Sequence, residues 1–402
     1  MAANIRRLAQ AILAGFALVA GSLLYWQVAR APELSARDDN PRLVQAELRL
    51  QRGRLLDRHG QVLAYSEPLT GGETALPGGS VLQRRYPQPA AVHAVGYYSL
   101  RYGTGGAEAA FDATLRGQLL PLDRLLHRPQ AGSDAALSLD LAAQRAADLG
   151  LGRQRGAVVV LDIASGETLV LLSHPGYDPN RLDDNWDALS ADPAAPLLNR
   201  ATQGVYPLGD LARLVGLAGL LSAGITTPPD PLATPLDAML APLSPRGYLA
   251  AARQLGFDAP SPFDLPAGAG RLPDFDAGGT PRDLAVTPLH MARLAAAIAR
   301  DGRMPVPTLA YPAPGSTPGR AFAAGIAAAL QSATPRFDQV AAWSGVATPQ
   351  ETGAYSLSWL VGYAPAGDPR FAIAVVVEGS DGGEAVTLPI AGQTLAAMAN
   401  IK

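Results

Sequence analysis

The chain has 402 residues, 48% of them hydrophobic and 17% charged, a balance that excludes wholesale disorder, and the length allows one large domain with a smaller companion. A formal net charge of -3, with no basic stripe among aromatics, excludes a nucleic-acid binder. The absence of cysteine removes disulfides, thiolate metal sites and cysteine nucleophiles but leaves the compartment open, while 42 glycines and 35 prolines predict long irregular connections.

Leu8 to Ala29, LAQAILAGFALVAGSLLYWQVA, carries no charge, and a helix needs about 20 apolar residues to cross a bilayer. Arg6 and Arg7 precede the run, and Tyr25 and Trp26 stand where interfacial aromatics anchor a span. The positive-inside rule then keeps the amino end cytoplasmic and puts the bulk of the chain outside. A signal peptide or a buried core helix would be the alternatives, but the run exceeds the roughly 7 to 15 apolar residues of a signal-peptide core. Residues 1–30 are therefore expected to be a cytoplasmic end plus a single membrane anchor.

Residues 31–48 are polar and charged, a membrane-proximal linker or the first strand of a pedestal. From Arg52 to about Gly132 short apolar runs alternate with glycine-rich turns, so 31–136 is expected to be a linker and a small β-rich module. Residues 137–402 form the larger unit. Leu139 to Leu149 has helical spacing, and AVVVLDI, SGET and LVLLS read as a hairpin buried on both faces. SLSWLVGY and FAIAVVVE make a second such pair, Leu284 to Arg300 a helix stopped by Gly302, and Pro389 to Asn400 a closing helix. Strands at both ends with helices between predict an α/β fold, one sheet covered by helices.

Several segments carry a resemblance. RGRLLDRHGQVLA (Arg52–Ala64) and GYYSLRYGTGGAEAAFDATLRG (Gly96–Gly117) resemble the pedestal of class B penicillin-binding proteins. GAVVVLDIASGETLVLLSHPGYDPN (Gly156–Asn180), PLLNRATQGVYPLGD (Pro196–Asp210), AVTPLHMARLAAAIARDGRMPVP (Ala285–Pro307) and SWLVGYAP (Ser358–Pro365) resemble the transpeptidase domain in the same order. The resemblance implies a transpeptidase-like, serine β-lactamase-like sheet covered by helices, on a small pedestal with one transmembrane helix. It also implies a bacterial, extracytoplasmic protein of cell-wall synthesis. Active relatives crosslink peptidoglycan stem peptides and are acylated by penicillin.

Those relatives use a serine followed three residues later by lysine, then a serine-any-asparagine element, then lysine, threonine or serine, and glycine. The hydroxyl needs a neighbouring base, and a desolvated lysine can act as one. After YPLG the nucleophile place holds Asp210 and the base place Arg213. An arginine side chain keeps its proton and accepts no hydrogen bond, so it cannot be that base. Asp210 is expected to cap the helix that follows, with an i,i+3 pair to Arg213, the alternative being an aspartyl nucleophile. The second element is assigned to Ser244, Pro245 and Arg246, and the third to Trp343, Ser344 and Gly345. Trp343 projects bulk into the cleft or fills space, and Gly345 serves close backbone approach. The chain's one lysine is Lys402, so no realignment supplies two lysines.

Other chemistries find little. His59, His93, His127, His174 and His290 lack metal-ligand spacing, GxSxG is absent, GYDPN (Gly176–Asn180) reads as a turn, and TGGE and PGGS lack the lysine of a phosphate loop. No cofactor is expected. The expectation is a pseudoenzyme: a binding or scaffold subunit of peptidoglycan synthesis, without nucleic acid, partnered by a SEDS-family glycan polymerase or another division or elongation protein. A transpeptidase rewired through Ser344 or Asp210, and a non-covalent receptor for peptidoglycan fragments or β-lactams, are the alternatives.

Overall fold

The structure, a computed structural model, describes residues 2–30, 47–48, 50–69, 81–117, 130–225, 227, 230–315, 319–348 and 355–398. His127, Lys402, TGGE, PGGS and most of the linker at 31–48 lie outside these residues. Helix α1 (Ala2–Leu24) runs on through a π-helical turn, Tyr25–Ala29; within them Asn4–Val28 is long and apolar enough to cross a membrane, with none of its residues buried against the protein.

The smaller unit is a four-stranded sheet in the order β3-β2-β1-β6. Strands β1 (Leu55–Leu56) and β2 (Val62–Pro68) form a hairpin whose turn follows from DRHGQ. The Asp57 carboxylate accepts from the backbone of His59 and Gln61, and Gly60 takes φ 80°. β3 (Leu82–Arg85) pairs with β2; helix α2 (Val92–Val95), the hairpin β4 (Tyr97–Ser99) and β5 (Gly103–Gly105), and helices α3 (Ala107–Ala110) and α4 (Asp112–Arg116) follow; β6 (Ala135–Ala136) returns parallel to β1. Inside, Glu108 is fully buried and takes Arg52 Nη2 at 3.1 Å on one oxygen and Arg84 Nε at 2.6 Å on the other. Arg52 reaches on to Asp112 at 2.7 Å and lies over the Tyr98 ring, whose hydroxyl donates to Glu47. Burial makes each of these charges depend on its partner.

The larger unit is a six-stranded antiparallel sheet in the order β13-β14-β15-β16-β7-β8. Helix α5 (Leu141–Leu151) precedes it, its start set by Asp140, which accepts from Ala143 N at 2.9 Å. β7 (Gly156–Asp162) and β8 (Thr168–His174) turn through SGET, where Asp162 accepts from the backbone of Ala164 and Ser165. After helix α6 (Leu182–Ala191), the short β9 (Tyr206–Pro207), helices α7 (Ala212–Ser222), α8 (Leu236–Leu240) and α9 (Pro245–Gln254), β10 (Ala285–Val286) and helix α10 (Pro288–Ala299), the chain forms β11 (Arg303–Met304), β12 (Gly319–Arg320) and helix α11 (Ala324–Ser332). Then come β13 (Arg336–Phe337), β14 (Val340–Ala347), β15 (Leu357–Ala364), β16 (Phe371–Glu378) and helix α12 (Glu384–Met398).

The continuous apolar runs are explained by the two faces of this sheet. Val159, Leu161, Trp343 and Trp359 pack on the side of α7 and α10, while Val158, Val160, Leu360 and Val375 share the other core with residues of α5 and α12. The β8 edge is closed by Gln144, whose carboxamide accepts from Leu171 N at 2.9 Å and donates to Leu171 O at 3.0 Å. Two helices differ in extent from the sequence pattern. The stretch from Leu284 opens with β10, and α10 starts only after Thr287, whose hydroxyl accepts from His290 N. Helix α12 begins at Glu384, so Pro389 lies inside it on an exposed face near its first turns, where few carbonyls lose a partner.

The two units share one core and a bonded joint. Asn180 grips the backbone of Tyr86, His93 Nε2 meets Pro175 O at 3.1 Å, Asn199 donates to His93 O at 3.1 Å, and Ser99 donates to Asp183 at 2.6 Å. Tyr102 stacks on Trp186 with 4.2 Å between ring centroids.

Candidate active site

The approach to the site is a strand end held at three points. Tyr206 and Pro207 pair with Val286 and Ala285, Trp359 Nε1 donates to Pro207 O at 3.0 Å, and the Tyr206 hydroxyl donates to Glu378 at 2.7 Å. Glu378 also takes Arg200 Nε at 2.7 Å and Arg155 at 3.4 Å. Burial, with the Glu378 carboxylate alongside, pushes the Tyr206 phenol far above its ordinary value, so it stays a donor. Gly209 then turns with φ 54° against the outer edge of β14: a Cβ there would lie 2.4 Å from Val346 O, so only glycine allows this approach.

Asp210 follows in the single 3-10 turn that opens α7. Its carboxylate is 46% exposed and has Arg282 Nε at 3.8 Å. The expected cap does not form: Leu208 and Leu211 hold the N-cap positions, neither with a side-chain cap, and Asp210 acts on the helix only through its charge in the first turn. The expected Asp210–Arg213 ion pair is also absent. Arg213 turns the other way and donates from Nε to Asp210 O at 3.1 Å and from Nη1 to Pro231 O at 2.9 Å and Leu232 O at 3.0 Å. Two close carbonyls on a neighbouring loop outcompete a half-exposed carboxylate that water already solvates.

β14 brings the third assigned element to the same place. A Cβ on Gly345 would lie 3.2 Å from the Asp210 Cβ, so the bare face of Gly345 packs directly against Asp210. Ser344, half-buried, points to the opposite face of the strand, as alternation requires. Trp343 is on the Gly345 face, but its ring turns into the core, 2% exposed, with Nε1 donating to Thr334 Oγ1 at 3.0 Å.

Ser244 and Arg246 are not brought to this cleft. Ser244 caps α9, accepting from Gly247 N at 3.1 Å, and Arg246 is exposed on that helix. The flanking residues Leu240 and Leu243 meet Gly216 and Gly219 of α7, which places Ser244 about 13 Å along α7 from Asp210 at the rise of a helix. The chain that runs past Arg213 is instead Pro231–Leu232, in a turn where Asp230 accepts from Leu232 N and Ala233 N.

Beside the approach lies a cavity of about 510 Å³ lined by Tyr206, Pro207, Arg271, Asp274, Tyr355 and Leu357 among others. No group of three His, Asp or Glu side chains is placed to hold a metal ion among the described residues. His59 and His174 pair with Asp140 and Asp148 at 3.1 and 2.7 Å, and His93 and His290 are buried on backbone carbonyls. Sequence reasoning missed Arg200, Tyr206, Glu378 and Arg282. The available signal was a carboxylate closing the apolar run FAIAVVVE, which needs a buried partner.

The profile described as the penicillin binding protein transpeptidase domain matches residues 242–396, a stretch that starts beyond Asp210 and Arg213 and includes β14. The chain is 31% identical to the peptidoglycan D,D-transpeptidase PbpA of Mycolicibacterium smegmatis, over 99% of both chains, and 29% identical to PbpA of Mycobacterium tuberculosis, over 94% of both. Among solved structures, the imipenem acyl-enzyme complex of penicillin-binding protein A from M. tuberculosis superposes with a TM-score of 0.73 at 27% identity, covering 87% of this chain and 99% of that one. The D,D-transpeptidase domain from Eggerthella lenta, at 22% identity and a TM-score of 0.72, shares the fold, covering 87% of this chain and 98% of its own. These findings overturn the expectation of a pseudoenzyme, because the relatives matched end to end are named as enzymes. An arginine at 213 cannot serve as a proton acceptor, which removes one group from one mechanism and not the activity as a whole. By sequence along its whole length, this chain belongs to the class B penicillin-binding proteins.

Proposed function

We propose that this family member works in peptidoglycan synthesis as a binding subunit at the cell membrane, anchored by Asn4–Val28 with its amino end cytoplasmic and its bulk outside. The relatives' names supply the substrate class, peptidoglycan. One observation carries the reading. Buried charges and a main-chain clamp hold the pedestal and fix it to the larger unit, with Glu108 between two arginines and Asn180 gripping Tyr86. A rigid pedestal standing on a membrane anchor is suited to present a fixed surface to a membrane partner. The proposed partner is a SEDS-family glycan polymerase or another division or elongation protein. The test is co-reconstitution of the full chain in nanodiscs with the polymerase of its own cell. Association that survives purification and is lost when Asn4–Val28 is exchanged for an unrelated apolar helix is the expected result; no association at micromolar concentrations overturns it.

The enzyme names of the relatives favour a second reading, a transpeptidase rewired through Asp210. Its support is that Asp210 is half-exposed, which leaves its carboxylate approachable, whereas Ser344 points to the other face of β14. Stem-peptide turnover that disappears in Asp210→Asn would establish it, and turnover indifferent to that change would remove it.

A further inference from the structure

The segment Asp230–Leu240 crosses the head of α7 and is tied down by two arginines that come from different elements. At its start, Arg213 of α7 donates to Pro231 O and Leu232 O while also holding Asp210 O, so one guanidinium joins the loop to the first turn of α7. Asp230 stiffens the same turn, accepting from Leu232 N and Ala233 N at 3.0 Å each, and Thr234 Oγ1 donates to Asp230 O at 2.7 Å. At its far end, Arg282 Nη1 meets Asp237 Oδ1 of α8 at 2.7 Å, with Asp210 Oδ1 3.8 Å from its Nε.

The two ties differ in kind. Arg213 binds neutral carbonyls with short, charge-assisted hydrogen bonds, which salt screens little. Arg282 and Asp237 are 38% and 76% exposed, so their pair is weak and sensitive to ionic strength. Behind α8 is a cavity of about 200 Å³ lined by Leu240, Leu243, Tyr248, Phe275 and Pro281 with Asp237 at its rim, which gives the helix space beside it.

We propose that Asp230–Leu240 is a strap over the head of α7, hinged at Arg213 and latched at Arg282, whose release uncovers the Asp210 carboxylate further. Arg213 and Arg282 are positioning residues in this device. Leu236, Met239 and Leu240 are buried side chains of the strap itself, so it stays closed most of the time and the latch shifts a minority open population. The proposal does not depend on what the cleft binds.

Hydrogen exchange of the full-length protein, read on peptides covering 231–240 and on the α10 peptide as internal reference, tests it. Arg282→Gln should raise exchange in the strap about two- to fivefold, as expected for an exposed pair, and Asp237→Asn should match it. Arg213→Gln should raise it by about tenfold or more. Raising the salt from low to molar concentration should reproduce the Arg282→Gln effect in the unsubstituted protein and add nothing in that variant. Exchange in the strap unchanged in both arginine variants, or raised equally in α10, would overturn the proposal. So would a salt effect that persists undiminished in Arg282→Gln.

Discussion

Asn180 and Tyr86 exchange two hydrogen bonds across the joint: Asn180 Oδ1 accepts from Tyr86 N at 2.9 Å and Asn180 Nδ2 donates to Tyr86 O at 3.1 Å. The carboxamide imitates a strand partner at the end of β3, so the pedestal is fixed to the larger unit through main chain. Asn180→Ala leaves both Tyr86 groups without their partner in a partly buried setting and should cost about 1 kcal/mol, read as a lowered urea midpoint. Asn180→Asp keeps the acceptor and loses the donor, and should fall between the two. Equal stability of all three proteins would show that water replaces the clamp.

GYDPN was legible as a turn, and Asp178 does accept from Asn180 N at 2.9 Å within it. Its reach to Tyr86 was not, because no local pattern encodes a contact between residues so far apart in the chain. The same distinction runs through the molecule. β7, β8, β15 and β16 could be read because burial on both faces forces unbroken apolar runs, whereas the helix read from Leu284 begins only at Pro288, because the apolar pattern overran the start signal of Thr287 and Pro288. Arg213 could be placed on its helix but not aimed, since its choice between Asp210 and the 231–232 carbonyls is decided by a loop whose path the sequence does not specify. Ser244 was assigned by a motif-like serine, and the structure uses it as a helix cap, the commoner role of a serine before Pro.

Glu108 makes the sharpest stability prediction. It is fully buried between Arg52 and Arg84, so Glu108→Gln leaves two guanidinium groups facing a neutral carboxamide. Breaking a buried ion pair from one side costs about 3 to 5 kcal/mol, and the loss should appear as earlier unfolding of the pedestal in hydrogen exchange of 81–117. A change below about 1 kcal/mol would mean that water reaches these arginines.

Acid should destabilise the fold through two histidines. Burial lowers His93 from its ordinary 6.5 to about 4, with Arg200 and His174 adding to the effect against the Pro175 carbonyl bond. Burial lowers His290 likewise to about 4, with Arg293 adding and the Ala259 carbonyl bond opposing. Both imidazoles are neutral in either state above pH 6.5, so their contribution is complete there. Below it the unfolded chain takes up protons first, and stability falls until about pH 4, by about 3 kcal/mol for each residue. His290→Gln should remove about half of this slope between pH 6.5 and 4 in urea titrations. An unchanged slope in that variant and in His93→Gln would assign the acid sensitivity elsewhere.

Trp343 stands at the assigned lysine place of the third motif, yet its surroundings are those of a core residue, and substitutions can tell a core from a cleft. Its indole is 2% exposed and gives Nε1–H to Thr334 Oγ1, while the Thr334 hydroxyl has its own acceptor in Leu330 O at 2.8 Å. Trp343→Phe therefore loses one hydrogen bond and some volume but strands no donor, and about 1 to 2 kcal/mol is expected. Trp343→Ala opens a cavity and should cost about 3 to 5 kcal/mol. Trp343→Lys is the decisive variant: an ammonium group placed in this buried apolar core must be desolvated without a partner, so it should be the least stable of the three in urea melts. If Trp343→Lys proved as stable as Trp343→Phe, the side chain at this position would be opening onto solvent in the cleft, and the packing of β14 against the helices would have to be redrawn.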